Sequence, residues 1–109
     1  MPSFFRDPDP VNVDIETLAR AVDGDEAAVV DVREPYEFAA GHIPGAVSQP
    51  LSSFDPGDLP TGKPVILICQ AGARSRKALD RVHAAGRSDV RHYPGGMSQW
   101  RARGGAVEV

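Results

Sequence analysis

Residues 65 to 75 read Val-Ile-Leu-Ile-Cys-Gln-Ala-Gly-Ala-Arg-Ser, and the first four constrain the fold more than any other stretch. An apolar run with no polar alternation is the pattern of a strand covered on both faces, as in a parallel sheet. Helices must then cover the sheet on each side. Cys69, the one cysteine of the chain, closes this strand, and a small, polar segment leads from it into the helical pattern Arg76-Lys77-Ala78-Leu79. The carboxyl end of such a strand is where an α/β sheet receives ligands. Free amides and the positive end of a helix dipole gather there, and both favour a thiolate over a thiol. An ordinary thiol, with a pKa of about 8.5, is only slightly ionised at neutral pH. Lowering it by about two units, worth roughly 2.7 kcal/mol, makes the reactive form dominant. The expected sources are the loop amides, the dipole and Arg74.

The remaining punctuation extends the alternation of strands and helices. Asp14 is a good N-cap, and Ile15, Leu18, Ala19 and Val22 follow at helical spacing to a stop at Gly24. Residues 27–32 form a second apolar strand ending in Asp31-Val32-Arg33. Pro35 suits the first turn of a short helix that Gly41 ends, with Tyr36 and Phe38 expected in the core. Residues 46–48 allow a brief strand, and 50–64 are loop. A helix is predicted over 75–85, a last strand over 89–93, and a short helix over 97–103. The expected architecture is α/β: three layers, with a mainly parallel sheet of four or five strands and helices on both faces. Residues 1–10 read as an irregular leader, and 11–109 as one domain.

Composition excludes several classes of function. The net charge of −3, with no basic block, gives no reason to expect a nucleic-acid partner. No apolar stretch is long enough to cross a membrane, and no signal peptide is visible, so the cytoplasm is the expected location. One cysteine rules out an internal disulfide and an all-cysteine metal site. It also leaves no resolving thiol within the chain, so any sulfurated form of Cys69 must be discharged by another molecule.

Three segments stand out together: residues 30–38, Val-Asp-Val-Arg-Glu-Pro-Tyr-Glu-Phe, with Gly41-His42-Ile43-Pro44-Gly45-Ala46; Cys69-Gln70-Ala71-Gly72-Ala73-Arg74-Ser75; and residues 93–100, Tyr-Pro-Gly-Gly-Met-Ser-Gln-Trp. In that order they resemble the amino-terminal signature, the active-site loop and the carboxyl-terminal signature of the rhodanese family of sulfurtransferases. The resemblance implies a rhodanese-like fold in which Cys69 carries sulfur as a persulfide. Gln70, Ala71, Gly72, Ala73, Arg74 and Ser75 would bind the substrate. No metal or other cofactor is implied. The expected donor is a small anion such as thiosulfate, and the acceptor is cyanide in an assay or a thiol, for instance thioredoxin or a persulfide protein, in the cell. The chemistry needs a cradle of N–H donors for anionic sulfur and no strong base.

Loop length separates this reading from a neighbour. Phosphatases with a cysteine nucleophile place five residues between Cys and Arg, whereas four separate Cys69 from Arg74. A phosphatase or arsenate reductase is therefore the less favoured alternative. Mercaptopyruvate-specific relatives usually carry Cys-Gly-Ser-Gly-Val-Thr, with Thr where Arg74 stands here. A protein-to-protein sulfur carrier or interaction module is the main rival. Asp31 and Arg33 are candidates to brace the loop, with a local ion pair at the strand-to-helix turn as the competing reading. His42 is expected in a structural turn. His83 and His92 show no spacing that converges on a metal. Trp100 and Met97 are expected to pack.

Overall fold

The computed structural model describes residues 4–109, so Met1, Pro2 and Ser3 of the expected leader lie outside the described residues. The elements alternate as follows: α1 (Ile15–Asp23), β1 (Ala28–Asp31), α2 (Pro35–Ala40), β2 (Val47–Ser48), β3 (Val65–Ile68), α3 (Ala73–Ala84), β4 (Val90–His92) and α4 (Gly96–Ala102). Two single 3-10 turns, Leu51–Ser53 and Pro56–Asp58, break the long loop before β3. All strand pairs are parallel, in the order β2-β1-β3-β4. The most apolar strand, β3, is thus central, as its unbroken Val-Ile-Leu-Ile run requires.

Side chains alternate across β3. Ile66 and Ile68 point into one core with Leu18 and Ala21 of α1, and Met97 and Trp100 of α4. Val65, Leu67 and Cys69 point into the other, with Ala78, Leu79 and Val82 of α3 and with Val90. The period-2 rule and two helical covers account for the three layers. The first two helices start at caps. The Asp14 carboxylate accepts the Thr17 amide at 2.8 Å, and Glu34 and Glu37 close a capping box around Pro35.

Several expectations are corrected. Tyr36 is 76% exposed on α2, because a single short helix on the sheet's rim has no layer above it. Phe38 is half-buried, stacked on the His42 ring at 3.8 Å. Helix α3 begins at Ala73, two residues ahead of expectation, because Gly72 turns the chain with φ 101° and the helix follows at once. Residues 4–10 of the expected leader form no helix or strand, yet Phe4 and Phe5 are buried in the α1/α4-side core. The Arg20 guanidinium lies over the Phe4 ring and donates to the Phe4 carbonyl at 2.9 Å. Val11 and Val13 then bond to the backbone of His92, adding a short parallel contact along β4.

Candidate active site

Cys69 follows the last residue of β3 and is 1% exposed. Between it and α3 there are only Gln70, Ala71 and Gly72, so the chain must reverse tightly around the sulfur. Gly72 makes this possible: its φ is positive, and a Cβ there would stand 2.5 Å from the Pro94 carbonyl oxygen. Gly96 does the same from the other side, since a Cβ on it would collide with the Gln70 carbonyl. This closeness lets the first turn of α4 hold the loop from behind. Met97 N–H donates to the Cys69 carbonyl at 2.9 Å, and Ser98 N–H to the Gln70 carbonyl at 3.1 Å.

With the carbonyls held outward, the amides turn inward. Gly72 N–H donates to Sγ at 3.1 Å, and Sγ lies 3.5 Å from Ser75 Oγ. Burial pushes the thiol pKa up, but the Ser75 hydroxyl and the amides of Ser75, Ala71 and Gly72 outweigh it and hold the thiol below its ordinary value. The direction agrees with the expectation from sequence. The strongest favourable partner is a hydroxyl that sequence reasoning had grouped with the loop. Gln70, Ala71 and Ala73 stand exposed around the sulfur.

Arg74 does not reach toward the sulfur as a free cation. Its guanidinium grips Glu37 of α2 through both nitrogens, at 2.6 and 3.0 Å. That bond is the main cause of a Glu37 pKa near 2, against which partial burial works. Asp31 and Arg33 form a second, deeper pair. Arg33 Nη2 donates to Asp31 Oδ2 at 2.7 Å and to the Gly41 carbonyl at 2.8 Å, and Arg33 N–H returns to Asp31 Oδ1 at 3.0 Å. These bonds close on the turn after β1 and on the end of α2, which is the local ion-pair reading. His42 holds the Phe38 carbonyl through Nδ1 at 2.9 Å and pairs its backbone with Glu108. His83 Nε2 meets the Val90 carbonyl at 3.1 Å.

The placement of His92 beside the loop was not expected from sequence. Its Nδ1 lies 2.8 Å from Ser75 Oγ, one step removed from the sulfur. The signal was present in the periodicities: Ser75, Leu79 and Val82 share one face of a helix, and His92 follows Val90 by two on a strand. A cleft of ≈ 300 Å³ lined by Ala21, Val29, Pro44, Val47 and Lys63 opens near the amino ends of the strands, at the opposite end from Cys69. Among the described residues no group of three or more His, Cys, Asp or Glu side chains stands where it could hold a metal ion. No helix among them is long and apolar enough to cross a membrane.

Comparison with known proteins shows the family of the domain. The chain is 40% identical over 96 residues to the protein slr1261 of Synechocystis, a match covering 86% of this chain and 54% of that one. It therefore spans about half the length of that relative. It is 38% identical over 80 residues to the thiosulfate sulfurtransferase GlpE of Pseudomonas putida, covering 70% of this chain and 71% of that protein. A rhodanese-related protein of Thermoplasma volcanium superposes with a TM-score of 0.80 at 26% identity, covering 90% of this chain and 97% of that one. The family model for the rhodanese-like domain matches residues 14–103, from the cap of α1 to the end of α4, and the chain belongs to that family.

Proposed function

We propose that this domain transfers sulfane sulfur through a persulfide on Cys69. The observation that carries the reading is the N–H and O–H cradle around a buried sulfur whose thiol pKa lies below its ordinary value. In the first half-reaction the Cys69 thiolate attacks the outer sulfur of thiosulfate, the S–S bond of the donor breaks, and sulfite leaves with its electron pair. The enzyme then carries Cys–S–S⁻. In the second, cyanide or a thiolate attacks the terminal sulfur and the Cys69 thiolate leaves. No proton, metal or outside oxidant is needed for either balance, which is why a pre-formed thiolate suffices.

The chain's residues divide the work. The amides of Ala71, Gly72 and Ser75 stabilise negative charge on sulfur in the thiolate, the persulfide and both transition states. Gln70, Ala71 and Ala73 form the exposed rim that an incoming donor meets. Arg74, neutralised by Glu37, shapes the rim and leaves most anion attraction to the amides. Asp31 and Arg33 set the turn that presents α2, and with it Glu37, to Arg74. The loop also favours sulfur over phosphate, since Gly72 N–H is already spent on Sγ at 3.1 Å. A lone free thiol suits a reducing compartment such as the cytoplasm, where a thiol protein is available as acceptor.

The test is steady-state thiocyanate formation from thiosulfate and cyanide. Wild-type protein is expected to turn over by a double-displacement pattern, and Cys69→Ser, with an unchanged fold, to give none. Turnover retained in Cys69→Ser would overturn the mechanism. Rapid loading from a persulfide protein with none from thiosulfate would favour the carrier reading.

A further inference from the structure

A buried line of three side chains extends beyond the sulfur. Sγ of Cys69 lies 3.5 Å from Ser75 Oγ, and Ser75 Oγ lies 2.8 Å from His92 Nδ1. The three come from the end of β3, the first turn of α3 and the last residue of β4, and all are buried. His92 is fixed through its backbone as well, donating to the Val11 carbonyl at 2.9 Å and accepting from Val13 N–H at 3.0 Å.

A serine hydroxyl has one proton and two lone pairs. The Ser75 proton has three possible acceptors: the Gly72 carbonyl at 3.2 Å, the sulfur, and His92 Nδ1 when that nitrogen is bare. A bare Nδ1, as the nearest acceptor, takes the proton and leaves lone pairs facing sulfur, which suits S–H and opposes a thiolate. A protonated Nδ1 instead donates to Ser75 Oγ and frees the hydroxyl proton for the anionic sulfur. It also polarises the O–H, making it a stronger donor.

Burial favours the neutral form of the ring. Burial lowers the His92 pKa, the Arg76 guanidinium on α3 adds to this, and the carboxylates of Asp80 on α3 and Asp9 in the N-terminal segment work against it. The ring therefore carries one proton, on one nitrogen or the other.

We propose that His92 is a positioning residue that keeps its proton on Nδ1, donates to Ser75 Oγ, and so turns the Ser75 hydroxyl onto the anionic sulfur of Cys69. This rests on the reading of Cys69 as the working sulfur, but its test needs no turnover. The Cys69 thiol pKa is read from the pH dependence of its alkylation rate and of thiolate absorbance. His92→Leu is expected to raise that pKa by about one unit, a roughly tenfold weaker acid constant for the thiol. His92→Asn, whose amide nitrogen occupies nearly the place of Nδ1, is expected to restore most of the shift. In a Ser75→Ala background, His92→Leu should add nothing. An unshifted pKa in His92→Leu, or an undiminished further shift in the Ser75→Ala background, overturns the proposal. Nitrogen NMR of the imidazole in labelled wild-type protein decides independently of any variant's folding. A protonated Nδ1 supports the arrangement, and a bare Nδ1 with protonated Nε2 overturns it. Failure of thiosulfate to load sulfur would instead count against the transfer reaction, and leaves this comparison of thiol pKa values intact.

Discussion

Arg33 and Asp31 meet at 3% and 0% exposure, whereas Arg74 and Glu37 meet at 33% and 19%. Both pairs put a guanidinium on a carboxylate, and both touch α2. The first joins β1 to the far end of that helix, through the Gly41 carbonyl, and is buried from solvent. The second joins α2 to the first turn of α3, beside the sulfur, with solvent alongside. A charge stranded in the first place is costly, while a charge released in the second is hydrated and free to meet a ligand. Identical chemistry is therefore sealed within the fold in one region and lies part-exposed beside the candidate site in the other.

Asp31→Ala tests the buried half of this contrast and should have the largest effect. It leaves Arg33 charged and buried with only the Gly41 carbonyl and is expected to cost about 3–5 kcal/mol in urea unfolding. A loss below 1 kcal/mol would show that water reaches the pair. Glu37→Gln tests the mouth. Its stability cost should stay within about 1 kcal/mol, since the pair is part-exposed. The freed Arg74 should raise kcat/KM for thiosulfate a few-fold at low ionic strength, with the gain fading in salt. Unchanged kcat/KM would remove Arg74 from any dealing with the donor.

A pH series sharpens the same comparison. The folded-state pKa of Glu37, near 2, lies below its ordinary 4.5, so the folded protein holds that proton more weakly than the unfolded chain. The pair's contribution is therefore complete above about pH 4.5 and is lost as pH falls toward about 2. In Glu37→Gln the acid loss of stability should be smaller than in wild type, and equal curves would contradict the assignment. Tyr36→Ala should do least. At 76% exposure its removal is expected to change stability by no more than about 0.5 kcal/mol.

Where local pattern decides structure, the sequence was legible. The unalternating run at Val65–Ile68 led to a central parallel strand, Asp14 and Pro35 marked helix starts, and the end of β3 set Cys69 against a loop amide. What could not be read depended on which elements meet. Tyr36 looked apolar enough for a core, but only the packing of layers determines that α2 lies uncovered on the rim. Phe4 and Phe5 sat in a stretch too rich in Pro and Asp to suggest an element, and tertiary contact alone buries them. Arg74 was legible as a loop residue favouring thiolate and donor, but its grip on Glu37 was not, because Glu37 lies on a separate element. His92 was set aside for lacking metal-ligand spacing, while its actual contact is a hydroxyl brought to it by α3.

The most direct measurement is the intact mass of the purified protein before and after thiosulfate, with and without cyanide, beside Cys69→Ser. One added sulfur atom on the wild type alone, removed by cyanide, is the expected result. No added sulfur on the wild type, or an equal gain on Cys69→Ser, would contradict a persulfide carried by Cys69.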